Sequence, residues 1–239
     1  MDFDVLPGPS LPERARTALA RAATAFVSGP SVPGAPPVTS QVPVRATRDG
    51  SPLLLPRTGS LVAAWLAGGP DDVRVSLPAG PPFSALRLTG TVRRVAATGD
   101  SGITSCAVAV DAIEFSGASQ APVPVEDYRA AAPDPLWRVV PKLLRHLEHG
   151  HPGDLVRCVR AHGMTRAEWV VPRGLDRYGL ELLVLTADGI AAVRLSFPDG
   201  PVAALDDVPV SLRAALTCRC DPGHRPGPGT EPGQCDRQG

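Results

Sequence analysis

In most of the extended segments between Val42 and Phe115 the apolar residues recur at every second position, and beyond a proline-bearing connector near position 125 they recur at a helical period. One segment cannot satisfy both rhythms. Alternation buries one face of a strand, whereas a 3.6-residue stripe buries one side of a helix. The 239 residues are therefore expected to form two modules, a β-rich one and then a mixed one, which a chain of this length allows.

In the first module Val42, Val44 and Ala46 alternate with polar or proline positions. Asp49-Gly50 is a hairpin turn signal, and Leu53-Leu54-Leu55 starts the return strand. Val73, Val75 and Leu77 give a further strand. A long one follows over 83–97, with Gly90 marking a bend or bulge, and residues 103–115 carry Cys106, Val108 and Val110 on one side. Helices are expected over 12–26 and 58–66. Roughly five antiparallel strands suit a small closed barrel. Residues 1–11 read as a disordered lead-in, 12–117 as the barrel domain and 118–133 as a linker.

In the second module Asp134 is an N-cap candidate and Pro135 suits a first helical position. Leu136, Val139, Val140, Leu143, Leu144 and Leu147 form one apolar stripe. A second helix is expected over 152–162, strands over 167–175, 180–186 and 190–197, and a closing helix over 208–216. The order helix–helix–strand–strand–strand–helix over 134–217 makes the whole chain α+β. Residues 218–239 are rich in Pro and Gly and read as a disordered tail.

Lys+Arg and Asp+Glu cancel at 24 each, which argues against a nucleic-acid partner recruited by bulk charge. No apolar run reaches the ~18–20 residues of a membrane helix. The acidic start Met1-Asp2-Phe3-Asp4 lacks signal-peptide order. A cytoplasmic protein without a nucleic-acid or membrane partner is expected. Five cysteines are an odd number and no secreted disulfide framework. Cys106 and Cys158 read as small core residues, and Trp65 and Trp169 as core or interface anchors. Phosphate loops, dinucleotide fingerprints, nucleophile elbows and zinc-protease helices are missing from the sequence, so a self-contained hydrolase, kinase or dinucleotide dehydrogenase is unsupported.

Two clusters can carry chemistry. His146, His149 and His151 are the densest titratable group. Neutral imidazoles ligate iron or zinc, and the plainer alternative is that they cap the helix–helix turn. Cys218, Cys220, His224 and Cys235 supply four soft donors for zinc. A redox-labile Cys218–Cys220 pair and an inert tail are the alternatives.

Four segments add a resemblance. They are Ala131-Ala132-Pro133-Asp134-Pro135-Leu136, His146-Leu147-Glu148-His149-Gly150-His151, Asp176-Arg177-Tyr178-Gly179 and Arg194-Leu195-Ser196-Phe197-Pro198-Asp199-Gly200-Pro201. In this order they resemble the haem-utilisation branch of the pyridoxamine 5′-phosphate oxidase-like FMN-binding split-barrel family. Its patterns are Ala-x-x-Asp-Pro-Leu, His-Met-Asn-x-Asp-His, Asp-x-x-Gly and Arg-[Ile/Leu]-x-Phe-x-x-Pro. Glu148 and Gly150 stand where that family has Asn and Asp.

The resemblance implies an N-terminal antiparallel split β-barrel, a C-terminal α+β domain and pairing of two barrels in a homodimer. It implies binding of haem or a related tetrapyrrole. An FMN-dependent oxidoreductase and a non-enzymatic regulator of tetrapyrrole metabolism are the alternatives. Arg45, Arg57 and Arg74 are then the candidates for a flavin phosphate or haem propionates. His146, His151 and His224 are the candidate cofactor ligands.

Overall fold

The computed structural model describes residues 8–29, 39–79, 83–98, 102–117, 121–210 and 212. Contacts divide the chain into two compact units. One comprises Met1–Pro141, Asp176–Tyr178 and Ala203–Leu205. The other comprises Lys142–Leu175, Gly179–Val202 and Asp206–Gly239.

The first unit opens with helix α1 (Leu11–Arg21), capped reciprocally by Ser10 and Glu13. The helix expected to run to Phe26 stops there. Thr24–Ser28 is strand β1, with Ala25 and Val27 buried and Thr24 and Phe26 facing out. This correction has a simple cause. Ala22, Ala23 and Phe26 fit helical spacing by number, but Ala25 and Val27 fit the barrel core. Strands β2 (Thr39–Ala46), β3 (Pro52–Leu54), β4 (Val73–Pro78), β5 (Phe83–Thr98) and β6 (Ile103–Gly117) follow, with helix α2 (Leu61–Ala67) between β3 and β4.

The strands pair antiparallel in the order β3-β2-β1-β4-β5-β6, and β3 also pairs with β6, closing a six-stranded barrel. The seam between β3 and β6 is short: Leu53 faces Ala107 and Leu54 faces Cys106. Inside lie Val27, Val42, Val44, Val73, Val75, Leu77, Leu86, Leu88, Val108 and Phe115. The bulge expected at Gly90 is present, since the register shifts between Thr89 and Gly90.

Part of the segment read as a linker carries regular elements, between Ala121 and Ala130. These are strand β7 (Ala121–Pro122), paired with β6, and helix α3 (Val125–Ala130). Tyr128 of α3 is buried, and its hydroxyl donates to the Gly50 carbonyl at 2.6 Å. The Arg16 guanidinium lies 5.3 Å from the centre of its ring. Burial pushes the Tyr128 phenol up to about 12, so it remains a donor at neutral pH. Tyr128→Phe leaves a buried carbonyl without its partner and is expected to lower stability by about 1–2 kcal/mol in urea unfolding. An unchanged midpoint would count against this anchoring role.

The helix expected from Pro135 begins later. Residues 135–139 form turns and helix α4 spans Val140–Gly150. Pro141 explains the shift: it has no N–H to bond the preceding turn, and it is tolerated only at a helix start. Asp134 nevertheless organises this turn, accepting the Leu136 N–H at 2.7 Å.

The second unit continues α4 and adds α5 (Pro152–Ala161) and a three-stranded antiparallel sheet of β8 (Ala167–Asp176), β9 (Gly179–Thr186) and β10 (Gly189–Ser196), in the order β10-β9-β8. Its buried residues include Leu147, Leu155, Cys158 and Val159 from the helices and Leu180, Leu182, Val184 and Leu195 from one face of the sheet. Of the expected closing helix, 208–210 and 212 are helical, and the remainder lies outside the described residues.

Candidate functional site

Along each barrel strand the apolar residues turn inward, which drives the cations outward. Arg45 on β2 and Arg74 on β4 are exposed on the outer surface. Arg57, also exposed, bridges to Ile103 beyond the end of β3. The register separates the first two. Ser28 of β1 lies opposite both Thr39 and Arg74, and Arg45 lies six residues along β2 from Thr39. At about 3.3 Å per residue this is about 20 Å. Arg45 and Arg74 therefore do not share one cradle. Arg74 is tied to Asp72 at 3.0 Å.

The outer face adds a residue that the sequence reading placed in a helix. Phe26 is 54% exposed. It lies opposite Gln41 on one side and Ser76 on the other. Arg74 is its diagonal neighbour on β4, a separation of about 7–8 Å that long side chains span. An exposed aromatic ring beside a guanidinium suits a flat, anionic ligand: the ring offers stacking area and the cation a charge-assisted hydrogen bond. The alternation of Ala25 and Val27 with Thr24, Phe26 and Ser28 was the available sequence signal.

Asp49, Gly50, Ser51, Arg93, Tyr128 and Arg129 line a small cleft in the first unit. Bonds from the Thr47 hydroxyl and from Ser51 hold the Asp49 carboxyl below its ordinary value. The cleft has room for little more than water-sized groups, so it does not enclose a tetrapyrrole.

In the second unit His146 and His151 come together. Their ring centroids are 5.0 Å apart and the rings meet edge-on at 76°. His151 occupies the N-cap position of α5 but does not cap it with its side chain. Instead its Nδ1 bonds the Asp154 carboxylate at 2.9 Å, and Asp154 is also paired with Arg157. His149 turns away and bonds the Arg145 carbonyl at 2.8 Å. Cys106 and Cys158 are buried, as expected of core thiols, and burial raises the Cys106 pKa. Trp65 packs against the barrel core, while Trp169 is 54% exposed. Cys218, Cys220, His224 and Cys235 lie outside the described residues.

Two of the segments that carry the family resemblance meet physically. The second oxygen of Asp134 accepts the Arg177 N–H at 2.6 Å. The Tyr178 hydroxyl bonds Glu13 at 3.0 Å. These residues all belong to the first unit, so this part of the motif pattern is architectural. Among the described residues no helix is long and apolar enough to cross a membrane.

No family model and no curated protein matches the chain. Solved structures do. A haem-binding protein from Mycobacterium smegmatis is similar with a TM-score of 0.64 at 22% identity, covering 90% of this chain and 99% of that one. A pyridoxinephosphate oxidase family protein from Clostridium acetobutylicum has a TM-score of 0.38 at 10% identity, covering 45% and 89%. General stress protein 26 from Bacillus anthracis has a TM-score of 0.38 at 12% identity, covering 47% and 98%. The barrel topology and the likeness to the mycobacterial structure give the same answer: this chain has an N-terminal split β-barrel joined to a C-terminal α+β module, the fold that its motifs imply.

Proposed function

We propose that this protein binds haem or a related tetrapyrrole, as part of haem utilisation, with its split barrels paired in a cytoplasmic homodimer. The observation that carries this reading is the likeness to a haem-binding protein along 90% of this chain and 99% of the other. The outer barrel face supports it, because Phe26 offers a ring to stack on and Arg74 a cation for a propionate. Binding is the role proposed. FMN binding, the alternative, would use Arg45, Arg57 or Arg74, but not Arg45 together with Arg74, since the register holds those two apart.

Haem titration followed by absorption tests this. A saturable Soret shift at micromolar protein is expected. Phe26→Ala and Arg74→Ala should each weaken binding about tenfold, the scale of a contact worth more than 1 kcal/mol. The absence of any Soret shift overturns the proposal. A yellow protein that takes up FMN and ignores haem would move the reading to the flavin alternative. Light scattering behind size exclusion tests the pairing of barrels.

A further inference from the structure

The helix break at Gly150 places His146, one turn before the end of α4, against His151 at the start of α5. We infer that His146 and His151 chelate a divalent transition-metal ion of the Zn²⁺, Ni²⁺ or Cu²⁺ class.

Geometry is the first argument. Metal–imidazole bonds of about 2.0–2.1 Å put each ring centroid about 3.2 Å from the ion. Two imidazoles on one ion at tetrahedral or right angles then have centroids about 4.5–5.2 Å apart, whereas two trans ligands have them more than about 6 Å apart. The observed 5.0 Å separation falls in the first range and outside the second. The pair therefore fits adjacent positions on one small ion. It does not fit the two opposite faces of a haem iron, where a porphyrin would have to pass between the rings.

Proton placement is the second argument. A carboxylate oxygen can only accept, so the 2.9 Å bond to Asp154 puts the His151 ring proton on Nδ1. In the neutral ring Nε2 then keeps its lone pair, and a metal ion selects that form because its ligands must be deprotonated. A carboxylate behind a histidine is the usual outer shell of a metal ligand, where it fixes the tautomer and raises basicity. Arg157 binds the other Asp154 oxygen and holds that carboxylate in place.

Access is the third. His146 is exposed and the His151 side chain is 41% exposed, so a hydrated ion reaches both. No three His, Cys, Asp or Glu side chains converge among the described residues. Water therefore completes the coordination shell, and imidazole ligands favour the borderline ions named above over Ca²⁺ or Mg²⁺. The inference does not rest on haem binding.

Cu²⁺ is the probe of choice, because it binds nitrogen sites most tightly in the first-row series. The full-length protein is titrated with Cys218, Cys220 and Cys235 changed to Ser and His224 to Gln, so that the tail supplies no ligand. Calorimetry reads affinity, and electron spin-echo modulation counts coordinated imidazoles. One equivalent with two imidazoles is expected. His146→Gln and His151→Gln should each weaken binding by more than tenfold and leave one imidazole. Asp154→Asn should weaken it by about tenfold with both imidazoles retained, as loss of an outer-shell partner does. Circular dichroism verifies that each variant is folded. Undiminished affinity in both histidine variants, a single-imidazole spectrum in the parent, or no specific Cu²⁺ binding would each overturn the inference.

Discussion

Gly90→Val is expected to destabilise this protein by about 3 kcal/mol or more, at or beyond the top of the range for overpacked cores. The bulge between β5 and β6 brings two backbones into contact at this position. The register passes from Thr89 opposite Ala112 to Gly90 opposite Val110, so Asp111 is left without an opposite residue. A Cβ on Gly90 would lie 1.7 Å from the Ala109 carbonyl oxygen and 2.7 Å from its carbon. Both atoms are backbone, so no rotamer change relieves the clash. Either the bulge flattens or the β5–β6 ladder opens. Against a typical total stability of about 5–15 kcal/mol the loss is large. Guanidinium unfolding measures it, with Gly153→Ala as the control. Gly153 lies in α5, its Cβ would meet nothing nearer than Arg157 at 3.8 Å, and Ala there should be neutral or stabilising by up to about 1 kcal/mol. A Gly90→Val loss no larger than the usual ±0.5 kcal/mol of surface changes would refute the close-approach argument.

Asp134→Ala carries the second large effect, about 3 kcal/mol. One carboxylate serves two backbone donors, Leu136 at 2.7 Å and Arg177 at 2.6 Å. Its own N–H is received by the Thr17 hydroxyl at 2.8 Å. Removing the carboxylate orphans two N–H groups in a place where Asp134 is only 6% exposed, and each orphan costs about 1–3 kcal/mol. Asp134→Asn keeps one acceptor oxygen and should lose about half as much. The pH dependence has a definite sign. Burial pushes the Asp134 carboxyl above its ordinary value, outweighing the Arg177 and Leu136 N–H bonds that pull it down. The folded state therefore takes up this proton more readily than the unfolded chain. The contribution is complete below the unfolded pKa of about 3.9 and vanishes as pH rises through the folded value. The stability of wild type relative to Asp134→Asn should accordingly grow as pH falls through that window. A difference that shrinks toward acid would contradict the assignment.

Legibility followed the strength of the local period. Strands β2 to β6 could be read because Val, Leu and Ile alternate with polar residues over most of their length, and Gly90 was readable because glycine inside a strand serves few purposes. Strand β1 was lost because it is short and follows an alanine-rich helix that shares its residues by spacing. Helix α3 was lost because a single buried residue, Tyr128, carries no period. The start of α4 differs from its apolar stripe because the stripe runs back to Leu136, whereas Pro141 is accommodated only in a first helical turn, at Val140. The site was less legible for the same reasons. That Arg45 and Arg74 face outward follows from alternation, but their separation along the barrel is fixed through β1. The 146–151 segment stood out by composition. The meeting of His146 with His151 depends on how the chain breaks at Gly150, which no spacing rule supplies.

The brevity of β3 has a consequence for how the barrel breathes. Between β3 and β6 the wall is joined by two residue pairs, the Arg57–Ile103 bridge and a Thr58–Thr104 hydroxyl contact at 3.1 Å, so this join is a latch as short as the three-pair joins of β1 with β4 and β2 with β3. Fluctuations that open a closed sheet begin where the fewest backbone bonds must break together. Directly behind the latch, opposite Leu54, lies the buried thiol of Cys106. A sulfhydryl reagent gains that sulfur when the latch lifts, which makes Cys106 a native timer for the opening of its own wall.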